Sequence, residues 1–387
     1  MNEIALGDVT TIIGGGTPAR SDASYFDGDI PWVSVKDMAD DQVVLRRTQE
    51  HISQRGLNSS ASNLIPAGNI LLATRIAIGR TCINAVDVAI NQDLKALICS
   101  NRVVPKYLLY YLLSQRHYLE DHGEGATVKG ITLDLVKGLM LPLPPLPEQQ
   151  RLAALLDKAD HLRRTRRYAQ HLSDTFLQSV FLEMFGDYLA SPTAPQFHEV
   201  LEKPLSNGLF ENNINYGGSG VPVIWVDNLY HTTSIDMSQL RRARLSAEAT
   251  KKYAVAEGDL LFTRSSLVRE GIGQVNIVPE LPEPTTYECH TIRARVNRKV
   301  INPYYALGLY RSSFGRRLIM GRANTATMTT IGQDGIGELL CPLPPMTLQE
   351  QFAQVVRRTE RLRGQQREAA RQAEHLFQTL LFRAFRG

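Results

Sequence analysis

Asn302-Pro303-Tyr304-Tyr305 is the tetrapeptide that comes nearest to a catalytic signature in this chain. Amino-methyltransferases use Asn-Pro-Pro-Tyr to hold the target amine, but here the second proline is missing. The equivalent place in the first half reads Val104-Pro105-Lys106-Tyr107. A proline at the first position of a helix accounts for both copies. Two glycine clusters fail in a similar way. GGGTP (14–18) lacks GxGxxG spacing and a following helical pattern, so it reads as a tight turn. GEGATVKG (123–130) is not a phosphate-cradling GxxxxGK[ST] loop. The nine histidines form no HExxH and no visible triad. Cys82, Cys99, Cys289 and Cys341 are scattered, with no CxxC and no Cys/His cluster. That argues against structural zinc, a metal site or a disulfide framework, and fits a reducing cytosol. No catalytic constellation is visible, so the chain is expected to be non-catalytic alone.

The strongest pattern is a duplication. LPLPPLPEQQ (141–150) returns as CPLPPMTLQE (341–350), and Phe176, Leu177, Gln178 and Phe185 match Leu376, Phe377, Gln378 and Phe385. A period of 200 is too long for a solenoid repeat and means two whole domains, each closed by its own helix.

Residues 1–145 read as a mixed domain, with strand candidates at 30–35, 69–74 and 94–99 and a helix candidate at 105–119 begun by Pro105. Residues 188–345 repeat the order: 216–229, 258–266, 289–296 and a helix at 302–318. Thr74-Arg75 aligns with Thr263-Arg264, and Ile78-Gly79 with Ile272-Gly273. The loops differ, which suggests two binding surfaces tuned to different targets.

Two long helices are expected, at about 148–185 within a segment 146–187 and at 348–385 within a segment 346–387. Pro147 suits the start of the first, and Thr347 with Glu350 makes a capping box for the second. A 3-4 spacing marks a coiled-coil seam through Leu152, Leu155, Leu162, Arg166, Phe176 and Val180. Its counterpart runs through Phe352, Val355, Leu362, Gln366, Leu376 and Leu380. Polar members Arg166, Ser173, Thr359 and Gln366 sit near mid-helix and would fix register. The expected fold is α+β: two similar mixed α/β domains separated by two long antiparallel helices, with an internal pseudo-two-fold. The basic run RRTRR (163–167) reads equally as a solvated helix face or as one turned to DNA or an acidic partner.

The bulk numbers permit this picture without forcing it. The chain has 387 residues, 43% hydrophobic and 21% charged, with net charge +4. That charge is compatible with nucleic acid and equally with plain solubility. No apolar run reaches membrane-spanning length and no signal pattern opens the chain, so a cytoplasmic protein is expected.

In order and duplication, these motifs resemble one family. GGTP followed by IPWVSVKDM, a GDLLFTR-type strand, IGR, NQDLKAL, and a PLPP phrase before a long helix look like the specificity subunit of a type I restriction-modification system. The resemblance covers essentially the whole chain. It implies two target-recognition domains, each reading half of a split sequence in double-stranded DNA. It also implies that the helices dock two methyltransferase (modification) subunits, which restriction motor-endonuclease subunits then join. Adenine N6 methylation and restriction, with S-adenosylmethionine, ATP and Mg, would belong to those partners. The second domain departs from the pattern, with NGLFENNINYGGSG (207–220) in place of GGTP and CHTIRAR (289–295) in place of NQDLKAL. The alternative is a free-standing two-domain DNA-binding regulator or scaffold without methyltransferase partners. A self-sufficient methyltransferase is nearly excluded by the missing motifs.

Phosphate contacts need Lys or Arg, while base readout needs forked or amide side chains. The candidates near motif turns are Arg20, Lys36, Arg75, Arg80 and Lys129 in the first domain, and Arg264, Arg269, Gln274 and Arg322 in the second. Arg75 and Arg264, as an aligned pair, suit a shared grip on phosphate. Each is weighed against a solvated charge or a local ion pair.

Overall fold

The computed structural model describes all residues except Met1, Asp41, 126–127, 190–192, 211–215, 231–233, Ser238, 326–328 and Gly387. The side chains of 171, 173–175, 325 and 386 are also outside the description, which removes Ser173 from the expected seam. The chain divides into two compact units, Met1–Arg167 with Ala369–Gly387, and Tyr168–Glu368. Each therefore takes part of both long helices, Leu146–Phe185 and Met346–Arg386.

In the first unit one sheet runs Thr10–Gly14, Leu94–Cys99, Ile70–Ala73, Thr81–Asn84 and Val44–Leu45. A second runs Glu50–Ile52, Ile30–Val33, Val88–Ile90 and Leu64–Ile65, with Ile30–Val33 and Val88–Ile90 parallel. The apolar run ILLA is buried throughout because it has a core on both faces. Ile70 and Leu72 join the tyrosines of the helix Pro105–Ser114, while Leu71 and Ala73 join Val33, Ile90 and Leu94.

The second unit repeats this layout. One sheet runs Leu201–Asn207, Thr291–Val296, Leu260–Thr263 and Val275–Ile277. The other runs Tyr216–Gly217, Arg241–Ala243, Val221–Ile224 and Thr286–Tyr287, again with one parallel pair, Val221–Ile224 with Thr286–Tyr287. Glycine is required at the same point of both copies. A Cβ on Gly15 would lie 2.2 Å from Asn91 O, and one on Gly208 2.2 Å from Glu288 O. The second copy keeps that close approach although it lacks the rest of GGGTP.

The repeated proline phrase is tied down identically in both units. Gln149 Nε2 donates to Pro144 O at 2.9 Å, and its Oε1 accepts from Val104 N at 2.9 Å. Gln349 does the same with Pro344 O and Asn302 N, both at 2.8 Å. Tyr107 Oη donates to Pro142 O at 2.8 Å, and Tyr305 Oη to Pro342 O at 2.6 Å. The second long helix starts at Met346, with Pro345 O accepting from Leu348 N and Gln349 N. Thr347 is therefore inside the first turn and forms no capping box, because the proline carbonyl already occupies the cap position.

The helix seam lies one residue beyond the expected register. Beyond the clamp residue Gln149, buried positions on the first helix are Ala153, Leu156, Ala159, Asp160, Arg163, Phe181 and Phe185. On the second, beyond Gln349, they are Phe352, Ala353, Val356, Thr359, Arg363, Ala373, Phe377, Leu381, Ala384 and Phe385. Of the expected seam, Phe352 and the polar member Thr359 are buried, whereas Leu155, Leu162, Phe176, Leu362 and Leu376 are 39–50% exposed. Arg166 is exposed as well, and Leu152, Val180, Val355, Gln366 and Leu380 are half-buried. Leucine and phenylalanine spacing alone marks a neighbouring stripe, because the buried one intersperses its large apolar residues with alanines and the buried Asp160 and Arg163.

In the first unit the helices run antiparallel. Arg163 stands 4.0 Å over the Phe377 ring, and Arg167 Nη2 lies 2.8 Å from Glu374 Oε2. Asp160, fully buried, accepts from Arg163 at 2.8 Å and pairs with Arg164 at 2.8 Å. Three arginines of the RRTRR run are thus paired with acids, and Arg163 is no solvated charge. In the second unit Phe181 and Phe185 pack on Phe352, with ring centroids at 5.3 and 5.5 Å, and on Tyr305.

Candidate nucleic-acid interface

The strand Ile70–Ala73 delivers Arg75 to the rim of its sheet, where Arg75 bridges to Gly130 of a hairpin closed by Glu124 and Gly130. Lys129 is exposed on that hairpin. Arg75 Nη1 lies 3.7 Å from Asp93 Oδ1, and Asp93 is held by Asn91 through its backbone N–H (3.1 Å) and its carboxylate (3.1 Å). The turn Asn91-Gln92-Asp93 is thus a rigid platform beneath an arginine whose side chain is 47% exposed.

The corresponding place in the second unit is set by the ladder. Ala73 N bonds Arg80 O as Thr263 N bonds Gln274 O, and Ile131 N bonds Thr74 O as Ile331 N bonds Arg264 O. Thr74 N bonds Asp93 O as Arg264 N bonds His290 O. Arg264 therefore corresponds to Thr74, and Arg75 to Ser265. The expected pairing of Arg75 with Arg264 is off by one residue, because the shared Thr-Arg dipeptide sits one step apart on the two ladders. Arg80 corresponds to Gln274, and Asp93 to His290. Where the first unit has Arg75 facing Asp93, the second has Ser265 Oγ 2.8 Å from His290 Nδ1.

Arg264 is exposed and lines a depression of about 340 Å³ with Ser265, His290, Thr330, Ile331 and Gly332. Arg269 is exposed on the loop after it, and Gln274 Nε2 ties that loop by donating to Glu270 O at 3.0 Å. Glu288, Cys289 and His290 bring one potential metal ligand each within 4.8 Å of one another. Burial pushes the Glu288 carboxyl up, and burial with that neighbouring carboxylate pushes the Cys289 thiol up. A metal there would have to displace the His290–Ser265 bond and ionise a half-buried thiol beside an acid.

Of the remaining candidates, Arg20, Arg80 and Arg322 are paired with acids, and Lys36 is exposed. Arg20 forks onto Glu50 at 2.5 and 3.0 Å and stands 4.4 Å over Phe26; the Arg20 hydrogen bond holds the Glu50 carboxyl below its usual range. Lys36 is exposed on a turn capped by Ser34, where its carbonyl accepts from Gln49 Nε2 at 3.2 Å. Arg80 is a structural clamp, binding both Asp40 oxygens at 2.9 Å and Met38 O at 3.0 Å. Burial resists ionisation of Asp40, but Arg116 and Arg80 outweigh it and keep the pKa low. Arg322 pairs with Glu338.

The structure thus gathers Arg75 and Lys129 in one unit and Arg264, Arg269 and Gln274 in the other. Sequence reasoning missed Asp93, Ser265 and His290, since only their ladder positions single them out. Asn302 is the cap of the helix Pro303–Arg311, its Oδ1 accepting from Tyr304 N at 2.9 Å, and Tyr305 is fully buried. Those two residues face core and backbone. Among the described residues no helix is long and apolar enough to cross a membrane.

Residues 1–169 match the family described as Type I restriction modification DNA specificity domain. The chain is 29% identical over 302 residues to the type I restriction enzyme MjaIX specificity subunit of Methanocaldococcus jannaschii, covering 70% of this chain and 67% of that protein. It is 26% identical over 303 residues to the EcoKI specificity subunit of Escherichia coli K12, covering 70% and 62%. To the EcoR124I/EcoR124II specificity subunit of Escherichia coli it is 29% identical over 164 residues, covering 41% and 40%, well short of that protein's length. Among solved structures, the type I S subunit of M. genitalium superposes with a TM-score of 0.58 at 12% identity, covering 100% of this chain and 96% of that one. Residues 1–169 thus match the type I restriction modification DNA specificity domain, the chain is similar in sequence to type I restriction enzyme specificity subunits, and its duplicated α+β fold is similar to that of a solved S subunit.

Proposed function

We propose that this chain is the DNA sequence-specificity subunit of a type I restriction-modification complex, with residues 1–145 and 188–345 each reading one half of a bipartite target. One observation carries the reading. The two units share strand order, glutamine clamp and tyrosine lock, yet the same two rim positions hold Arg75 with Asp93 in one and Ser265 with His290 in the other. A common frame with different donors at its rim is what two half-sites of different sequence require. The exposed Leu155, Leu162, Phe176, Leu362 and Leu376 on the long helices support those helices as the docking surface for two methyltransferase subunits. Chemistry then lies with the partners: methyl transfer from S-adenosylmethionine in one, and ATP- and Mg-dependent restriction in the other.

The test is to purify the chain from its native host and exchange one recognition domain for that of a relative. A subunit that binds S-adenosylmethionine should co-purify, and N6-methyladenine mapping should show one half of the target changed and the other kept. Changes in both halves would defeat the independent-reader picture. Purification without any such subunit would favour a free-standing regulator.

A further inference from the structure

The strand ending at Ala73 returns at Gly79 through residues 74–78, and the turn is built around Ile76. Ala77 N donates to Arg75 O at 2.8 Å, and Ile76 has φ 67°, which makes a γ-turn of the rare, strained hand. Among the described residues Ile76 is the only non-glycine at positive φ. A β-branched side chain crowds its own backbone there, whereas glycine would fit without strain. Burial offers no compensation, since Ile76 is 68% exposed. Its backbone leans on the hairpin, N to Lys129 O at 3.4 Å, so it stands between Arg75 and Lys129 with Val128, 41% exposed, on the same hairpin. The corresponding loop of the second unit, 264–272, has nine residues against five. It exposes Leu267 (87%) and Val268 (64%) between Arg264 and Arg269. Both rims therefore hold solvent-facing apolar side chains among cations.

We infer that Ile76 and Leu267 each recognise a thymine, by apolar contact with its 5-methyl group in the major groove. This rests on the DNA-specificity reading above and adds to it a class of contact and two residues. The methyl is the apolar feature of the major-groove edge, and neither a guanidinium nor an amide rewards it. Lys129 beside Ile76, and Arg264 with Arg269 about Leu267, bring the loops to the phosphates, and the branched side chain then contributes one letter of the target.

The test uses the complex assembled with its methyltransferase partner, on duplexes carrying the target mapped from N6-methyladenine. Each thymine is replaced in turn by deoxyuridine, which removes only the methyl. At one thymine of the first half-site, in either strand, the parent should lose about fourfold in affinity, the worth of one buried methyl. The Ile76→Gly complex should be indifferent to that same change. Leu267→Ala should behave likewise at one thymine of the other half-site. Ile76→Gly relieves the strained turn, so its melting temperature should not fall, and lost discrimination then has no folding explanation. If no deoxyuridine position separates parent from variant while both still methylate the target, the inference is overturned. If the parent complex binds no DNA sequence-specifically, the specificity reading itself fails and this inference falls with it.

Discussion

Tyr305 Oη donates to Pro342 O at 2.6 Å, the same bond that Tyr107 makes to Pro142 at 2.8 Å in the other copy. Burial pushes the Tyr107 hydroxyl up to about 12 and Tyr305 higher still, so both remain protonated donors throughout the neutral range. Each locks a short helix onto the proline phrase that launches a long one. A tyrosine used in this way holds the frame and is not available to stack on a target base.

Tyr305→Phe therefore tests the catalytic alternative. It leaves the Pro342 carbonyl buried without its donor, at a cost of about 1–3 kcal/mol. The second unit should melt roughly 2–4 °C lower per kcal/mol lost. Calorimetry should show that shift, and Tyr107→Phe a similar one in the first unit. Methylation by the assembled complex should persist below the melting range. Its abolition in a folded variant would restore Tyr305 to the chemistry.

Arg75→Ala should act on one half-site. Arg75 has no arginine at its counterpart position, which makes base readout a better role for it than the shared phosphate grip expected from sequence. Competition binding with single-pair substitutions should show discrimination at one position of the first half-site falling by about 1–3 kcal/mol. A uniform loss across all sequences, with a shallower salt dependence, would instead assign Arg75 to phosphate.

Acid should loosen the helix pair in the first unit. Burial raises the Glu374 pKa, but Gln378, Arg163 and Arg167 more than offset it, leaving the carboxyl below its ordinary 4.5. A depressed carboxylate contributes stability that is present above its unfolded pKa and is lost as pH falls through the folded one. Melting temperature followed from pH 6 downward should therefore drop below about pH 4.5. Glu374→Gln should begin lower and fall less steeply. Parallel curves would mean that Glu374 is not the linked group.

The long helices are proposed as the ruler between half-sites. The first has 40 residues, about 60 Å at 1.5 Å each. An insertion near Met184 would disrupt packing, because Met184 touches the core of the second unit and Phe185 is buried in it. Seven residues added after Arg167, matched by seven after Glu368, would lengthen both helices by about 10 Å and keep the heptad. The unread spacer should grow by about three base pairs at ~3.4 Å each, with both half-sites intact. An unchanged spacer in an active mutant would place the ruler elsewhere.

Much of the architecture was legible in the chain. The repeated proline phrase, the apolar runs 70–73 and 94–99, and Pro105 and Pro303 at helix starts fixed two copies of one domain and two long helices, because these features are local. The rim was not legible. Thr-Arg occurs in both halves, and matching the dipeptides put Arg264 where Thr74 stands. A β-ladder assigns positions by backbone hydrogen bonds, and a one-residue slip turns a side chain to the opposite face. The loop after that strand is four residues longer in the second unit, so identity across it misleads. The helix seam slipped by one for a related reason. Periodicity counted on leucine and phenylalanine overlooks alanines, and it overlooks Asp160 and Arg163, which are buried only because each neutralises the other. Sequence by itself determined the frame and the family resemblance. Only tertiary structure decided that Arg75 meets Asp93, that Ser265 meets His290, and that Ile76 stands strained and exposed between two cations, since those relations exist only once distant strands are paired.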